Sequence, residues 1–142
     1  MKGTLLVVFQ LDSQHLDSVV ESALKPHRLD DSSIDSIHGR NWDYWVYHDS
    51  NIADPEVARV VQKQNATAYT HASFVRNLPD DYTASAVVDP NGVWHNIQDF
   101  GWKLTNEPSS ENDAASKLWA DHFAELRQMY ADCVAVEVLY HC

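Results

Sequence analysis

Ala84-Ser85-Ala86-Val87-Val88-Asp89-Pro90-Asn91-Gly92-Val93-Trp94-His95-Asn96-Ile97 is the stretch on which the fold turns. Two runs of strand-forming residues, 84–88 and 93–97, flank Asp89-Pro90-Asn91-Gly92. Proline presets φ for a turn, and Asn-Gly tolerates the left-handed backbone that hairpins need, so the spacing predicts an antiparallel hairpin. Gly101-Trp102 follows closely. A second aromatic cluster, Trp42-Asp43-Tyr44-Trp45-Val46-Tyr47, reads as a strand with Trp42, Tyr44 and Val46 on one face and Trp45 and Tyr47 on the other.

Outward from these, residues 4–11 are almost continuously apolar, as in a central strand covered on both faces. Leu16, Val19, Val20, Ala23 and Leu24 recur at helical spacing, with Ser13 as a cap and Pro26 as a stop. Residues 27–40 read as a polar surface loop rich in aspartate. Asp54-Pro55-Glu56 opens a short helix to residue 64. Residues 65–83 are irregular and end at Pro79-Asp80-Asp81. Residues 111–130 form a long amphipathic helix, with Ala115, Leu118, Trp119, His122, Phe123, Leu126, Met129 and Tyr130 on one stripe and a capping box from Ser110 to Asp113. Val134, Val136, Val138 and Tyr140 alternate as a last strand.

Strand, helix, strand, helix, hairpin, helix, strand is an α+β order. The expectation is one domain over residues 1–142: an antiparallel sheet with helices on one face, a ferredoxin-like variant with insertions, its first and last strands paired at the centre.

The 142 residues are 44% apolar, enough for a core without metal or disulfide staples. The net charge of −11 divides into −4 over residues 1–71 and −7 over residues 72–142. With no basic segment, nucleic-acid binding is disfavoured, as is an anionic membrane surface. A partner protein with a basic surface is the attraction such a charge supports. Cys133 and Cys142 lie nine residues apart; on one strand they face opposite ways at roughly 30 Å, beyond disulfide reach. Both are expected to be reduced thiols, as in a cytoplasmic protein.

The eight histidines contain no His-Glu-x-x-His spacing and the cysteines no Cys-x-x-Cys, so no metal or other cofactor is expected. His48-Asp49-Ser50 and His71-Ala72-Ser73 are two His-x-Ser units, the pairing by which two-histidine phosphoesterases supply acid and base. Those enzymes carry their units farther apart, on two strands flanked by apolar residues. No Gly-x-Ser-x-Gly elbow and no phosphate-cradling glycine loop occurs.

The aromatic strand and the hairpin together resemble an uncharacterised family of small bacteriophage and actinobacterial proteins. Its members carry a Trp-Asp-Tyr/Trp-Trp/Tyr strand, a Pro-Asp-Gly-x-Trp-His hairpin leading to Gly-Trp, and a final strand ending near Cys-His. Residues 42–46 match the first. Pro90, Gly92, Trp94, His95, Gly101 and Trp102 match the second, with Asn91 for aspartate, and residues 136–141 match the third loosely, with Tyr140 for cysteine. The family continues its first strand into Gly-Gly-Arg-Trp, where this chain has Tyr47-His48-Asp49-Ser50. The resemblance covers about a third of the chain. It implies a shared fold and a phage or mobile-element origin, no reaction, and Trp94, His95, Trp102 and His141 as residues to test.

The functional expectation is a small non-catalytic binding protein that occupies a host or partner protein's surface as an inhibitor, for example of host defence. Carboxylates would steer the encounter and aromatics would anchor it. The candidate contacts are Asp30, Asp31 and Asp35, Asp80 and Asp81, Trp45 and Tyr47, and Trp94, His95, Trp102 and His141. The alternative is a small histidine-dependent phosphoesterase or nucleotide-binding protein.

Overall fold

In the computed structural model, which describes residues 2–10, 16–28, 44–47, 54, 57 and 72–141, the first apolar run is strand β1 (Lys2–Phe9). Leu5, Leu6, Val7, Val8 and Phe9 are all buried, so both faces of this strand are covered. Helix α1 (Leu16–Leu24) follows and tightens into a 3-10 turn (Lys25–His27) as Pro26 enters the backbone. Strands β2 (Tyr44–Tyr47), β3 (Ala72–Phe74), β4 (Ala86–Val88) and β5 (Trp94–Asn96) come next, then helix α2 (Ser110–Met129) and strand β6 (Val134–His141).

The first and last strands pair at the centre, as expected: β1 runs antiparallel to β6 from Lys2 opposite His141 to Phe9 opposite Val134. The other edge of β6 is shared, with β2 along residues 138–141 and β3 along residues 134–136. On the far side of β1 lies β4, and beyond it β5.

Two expectations are corrected. The sheet is mixed, because β4 runs parallel to β1, with Leu6 opposite Val87. The helices lie on opposite faces. Val20 and Leu24 of α1 pack with Leu5, Val7 and Phe9, whereas Trp119, Phe123 and Leu126 of α2 pack with Leu6 and Val8. The physical reason is in β1 itself: a strand apolar at every position exposes one greasy face unless both sides are covered. The arrangement is α+β with a six-stranded mixed sheet, and it does not reproduce the ferredoxin-like expectation.

The hairpin forms as predicted, with Val88 opposite Trp94 and Val87 opposite His95. Its turn closes through Gly92 N–H donating to Asp89 O at 2.9 Å, and Gly92 takes φ of 82°, which any Cβ would strain. Asn96 then caps a 3-10 turn (Ile97–Phe100). Helix α2 is capped by Ser109, whose hydroxyl accepts from Asn112 N–H, one residue before the expected Ser110. Leu118 and Met129 are also corrected: both leave the buried stripe and are exposed. Of the expected helix over 54–64, only Asp54 and Val57 are described, and Val57 is helical and buried. The cap at Ser13, the aspartates of the 27–40 loop, the His48 unit and His71 fall outside the described residues, whereas Ala72 and Ser73 of the second unit lie buried in β3.

Gly3 fixes the closeness of three strands. A Cβ there would meet Ser85 Oγ at 2.7 Å and Tyr140 Cε1 at 2.8 Å. Gly3→Ala is expected to lower stability by about 1–3 kcal/mol, since the Tyr140 ring must shift out of a packed site. A urea titration with an unchanged midpoint would refute that reading of the contact.

Candidate functional site

The hairpin turn builds the most distinctive polar arrangement among the described residues. Asp89 is buried although it sits in a turn, because its carboxylate replaces missing backbone partners. Oδ1 accepts from Asn91 N–H at 2.8 Å and from Val93 N–H at 3.1 Å. Oδ2 lies 2.8 Å from His95 Nε2. Burial alone would raise this carboxyl, but the imidazole and the two N–H groups outweigh it and hold Asp89 below the ordinary carboxylate range.

His95 points from β5 toward α2, and its Nδ1 lies 3.0 Å from Nε2 of His122. The two contacts assign the protons. An ionised Asp89 only accepts, so His95 carries hydrogen on Nε2, and in a neutral ring its Nδ1 is then an acceptor. His122 must therefore donate from Nε2, which leaves its own Nδ1 as the terminal lone pair of the chain. Phe100 and Trp119 wall this imidazole, with ring centroids 5.2 and 5.9 Å away. Burial and the neighbouring His95 push the His122 pKa below its ordinary value, although Glu125 and Asp99 pull the other way. The chain Asp89–His95–His122 can relay a proton and can fix a neutral imidazole in one tautomer.

Beside His122, the outer face of α2 carries a second feature. Residues 118 and 129 are eleven apart, three helical turns, so they lie on one line. Leu118 is 54% exposed and Met129 68% exposed. Glu111, Asp121 and Glu125, all exposed, fall along or beside that line.

The expected site residues divide. His95 is in the chain. Trp94 points to the opposite, α1-side face, between His27 and Tyr140, with centroids 5.3 and 5.4 Å away. Trp45 and Tyr47 are half-buried against that same core, and Tyr47 donates its hydroxyl to Asp17. Burial and this bond push the Tyr47 phenol well up. Trp102 is half-buried after the Gly101 turn. Asp80 and Asp81 are exposed. His141 ends β6, with β1 and β4 between it and the strand of His95, so these two histidines do not meet across the sheet. Asp30, Asp31 and Asp35 fall outside the described residues, as does Cys142; Cys133 is buried and free.

Asp89 and His122 were not singled out from sequence. Asp89 reads as an ordinary turn residue. His122 does carry a signal: it is a polar side chain between Trp119 and Phe123, which asks for a partner. A shallow groove of about 480 Å³ lies elsewhere along α2, lined by Val75, Arg76, Asp80, Ala124, Arg127 and Gln128. Its Arg127 guanidinium already donates to the carbonyls of Leu78 and Pro79. Among the described residues, no group of three His, Cys, Asp or Glu side chains is placed to hold a metal, and no helix is long and apolar enough to cross a membrane. Comparison of the chain with family models, characterised proteins and solved structures yields no match.

Proposed function

We propose that this protein is a small acidic binding protein of the cytoplasm, phage or mobile-element borne, that inhibits a partner by occupying a basic surface on it. The observation that carries this reading is the outer face of α2. Leu118 and Met129 are large apolar side chains left in solvent on one line, with Glu111, Asp121 and Glu125 around them. Apolar anchors supply affinity when they reach a pocket, and surrounding carboxylates steer a cationic partner. Exposed Asp80 and Asp81 extend the acidic surface, and Asp30, Asp31 and Asp35 belong to the same proposal.

The test is capture from a host lysate at low salt, followed by kinetics with the identified partner. Leu118→Asp with Met129→Asp is expected to weaken the complex by about 2 kcal/mol or more, roughly thirtyfold in Kd. Asp121→Asn with Glu125→Gln is expected to slow association and flatten its salt dependence, with little change in dissociation. A complex indifferent to both pairs of changes would sink the reading.

The histidine-dependent phosphoesterase or nucleotide-binding reading is favoured by one observation, the Asp89–His95–His122 chain with an acceptor at its end. It ranks second because the charges acting on His122 include Asp99 and Glu125, which repel a phosphate. Phosphodiester turnover that His95→Ala abolishes would reverse the order.

A further inference from the structure

We propose that Asp89, His95 and His122 form a proton-operated latch that holds helix α2 against the β4–β5 hairpin and opens when the imidazole pair takes up a second proton. The inference does not depend on the binding reading, since it concerns the isolated protein.

The geometry sets the count of protons. With both imidazoles neutral, His95 Nε2–H donates to Asp89 and His122 Nε2–H donates to His95 Nδ1, across 2.8 and 3.0 Å. A first proton from solvent can add to His122 Nδ1, and both hydrogen bonds survive. A second proton has only His95 Nδ1 left to take. That nitrogen would then be N–H facing N–H at 3.0 Å, between two cations. The contact must break, and one ring must leave.

His122 is the ring free to move. His95 stays bonded to Asp89, which the backbone N–H groups of Asn91 and Val93 hold in turn. The charged and titratable groups around His122 come from each packed element: His95 from β5, Asp99 from the 3-10 turn, and Glu125 from α2 itself. Asp99 and Glu125 offer a departing imidazolium somewhere to go. Its departure removes the imidazole packed 5.2 Å from the Phe100 ring and 5.9 Å from the Trp119 ring.

The direction in pH follows from the depressed affinity of folded His122 for a proton. An imidazole that protonates less readily when folded stabilises the fold fully above its ordinary value of 6.5, and this contribution is lost as pH falls through the lower folded value. Asp89 acts in a separate window. Its depressed carboxyl keeps its contribution at and above 3.8 and loses it only below that. A transition between these windows therefore belongs to the imidazoles.

The experiment is a pH titration of the purified, uniformly ¹⁵N-labelled chain, reading imidazole nitrogens by long-range proton–nitrogen correlation and backbone amides by hydrogen exchange. At pH 7.5 both rings are expected with hydrogen on Nε2 and a lone pair on Nδ1. As the pair takes its second proton, amides of residues 94–100 and 118–126 are expected to exchange about tenfold faster together, while those of β1 stay protected. His122→Gln keeps a donor near the Nε2 position and cannot titrate, so it is expected to lose this step. The opposite ring tautomer, protection that is flat with pH, or a step that persists in His122→Gln would each overturn the latch. The wild-type spectra decide the question even where the variant does not fold.

Discussion

A chain that stops at Cys133 is expected to show no cooperative melting and no near-ultraviolet dichroism from fixed tryptophans. The residues removed, 134–142, include all of β6, which bonds β1 along its whole length on one side and both β2 and β3 on the other. Val134, Ala135, Val136 and Val138 have no measurable exposure, so their loss opens both cores at once. A domain is held by about 5–15 kcal/mol in total. The three valines alone, at some 1.5–3 kcal/mol each, forfeit an amount comparable with that margin before the lost sheet hydrogen bonds are counted. A truncated protein with a sharp transition would mean that the sheet does not close through this strand.

Trp119→Ala is expected to be the most damaging single substitution on α2, at about 3–5 kcal/mol. Trp119 is 3% exposed, and its ring lies 5.9 Å from Phe100 and 6.0 Å from Phe123. Its Nε1–H donates to Ala84 O at 2.8 Å, which ties the helix to the segment entering β4. Trp119→Phe separates the two contributions: most of the packing stays and the carbonyl loses its donor, for about 1–3 kcal/mol. Denaturant midpoints with a constant slope measure both. Equal losses in the two variants would assign the whole effect to the hydrogen bond.

Local chemistry was readable in the chain, and long-range arrangement was not. The hairpin at 86–96 follows from Asp89 to Gly92, four residues whose backbone preferences act without tertiary help. The α2 helix and the β1–β6 pair follow from periodicity and apolar content. The parallel pairing of β1 with β4 joins residues about eighty positions apart and leaves no mark in either segment. The two-sided packing did leave one, in the unbroken run from Leu5 to Phe9, but helices interleaved with antiparallel strands argued for helices on one face. Glu137 left no such mark. It is buried at 2% exposure, facing the α2 side and accepting from the Tyr82 hydroxyl. A carboxylate with a partner is indistinguishable in sequence from one in water. The same holds for the site: His95 stood out beside a tryptophan, whereas Asp89 and His122 acquire meaning only from one another's position.

The pairing of β6 also dictates when folding can occur. Lys2 lies opposite His141, and β2 and β3 wait for the same strand. At a synthesis rate of 5–20 residues per second, the first strand exists for roughly ten seconds before its partner is made. Throughout that interval the apolar run from Leu5 to Phe9 lacks the edge partner that β6 supplies. That edge of β1 therefore stays open until the final strand emerges.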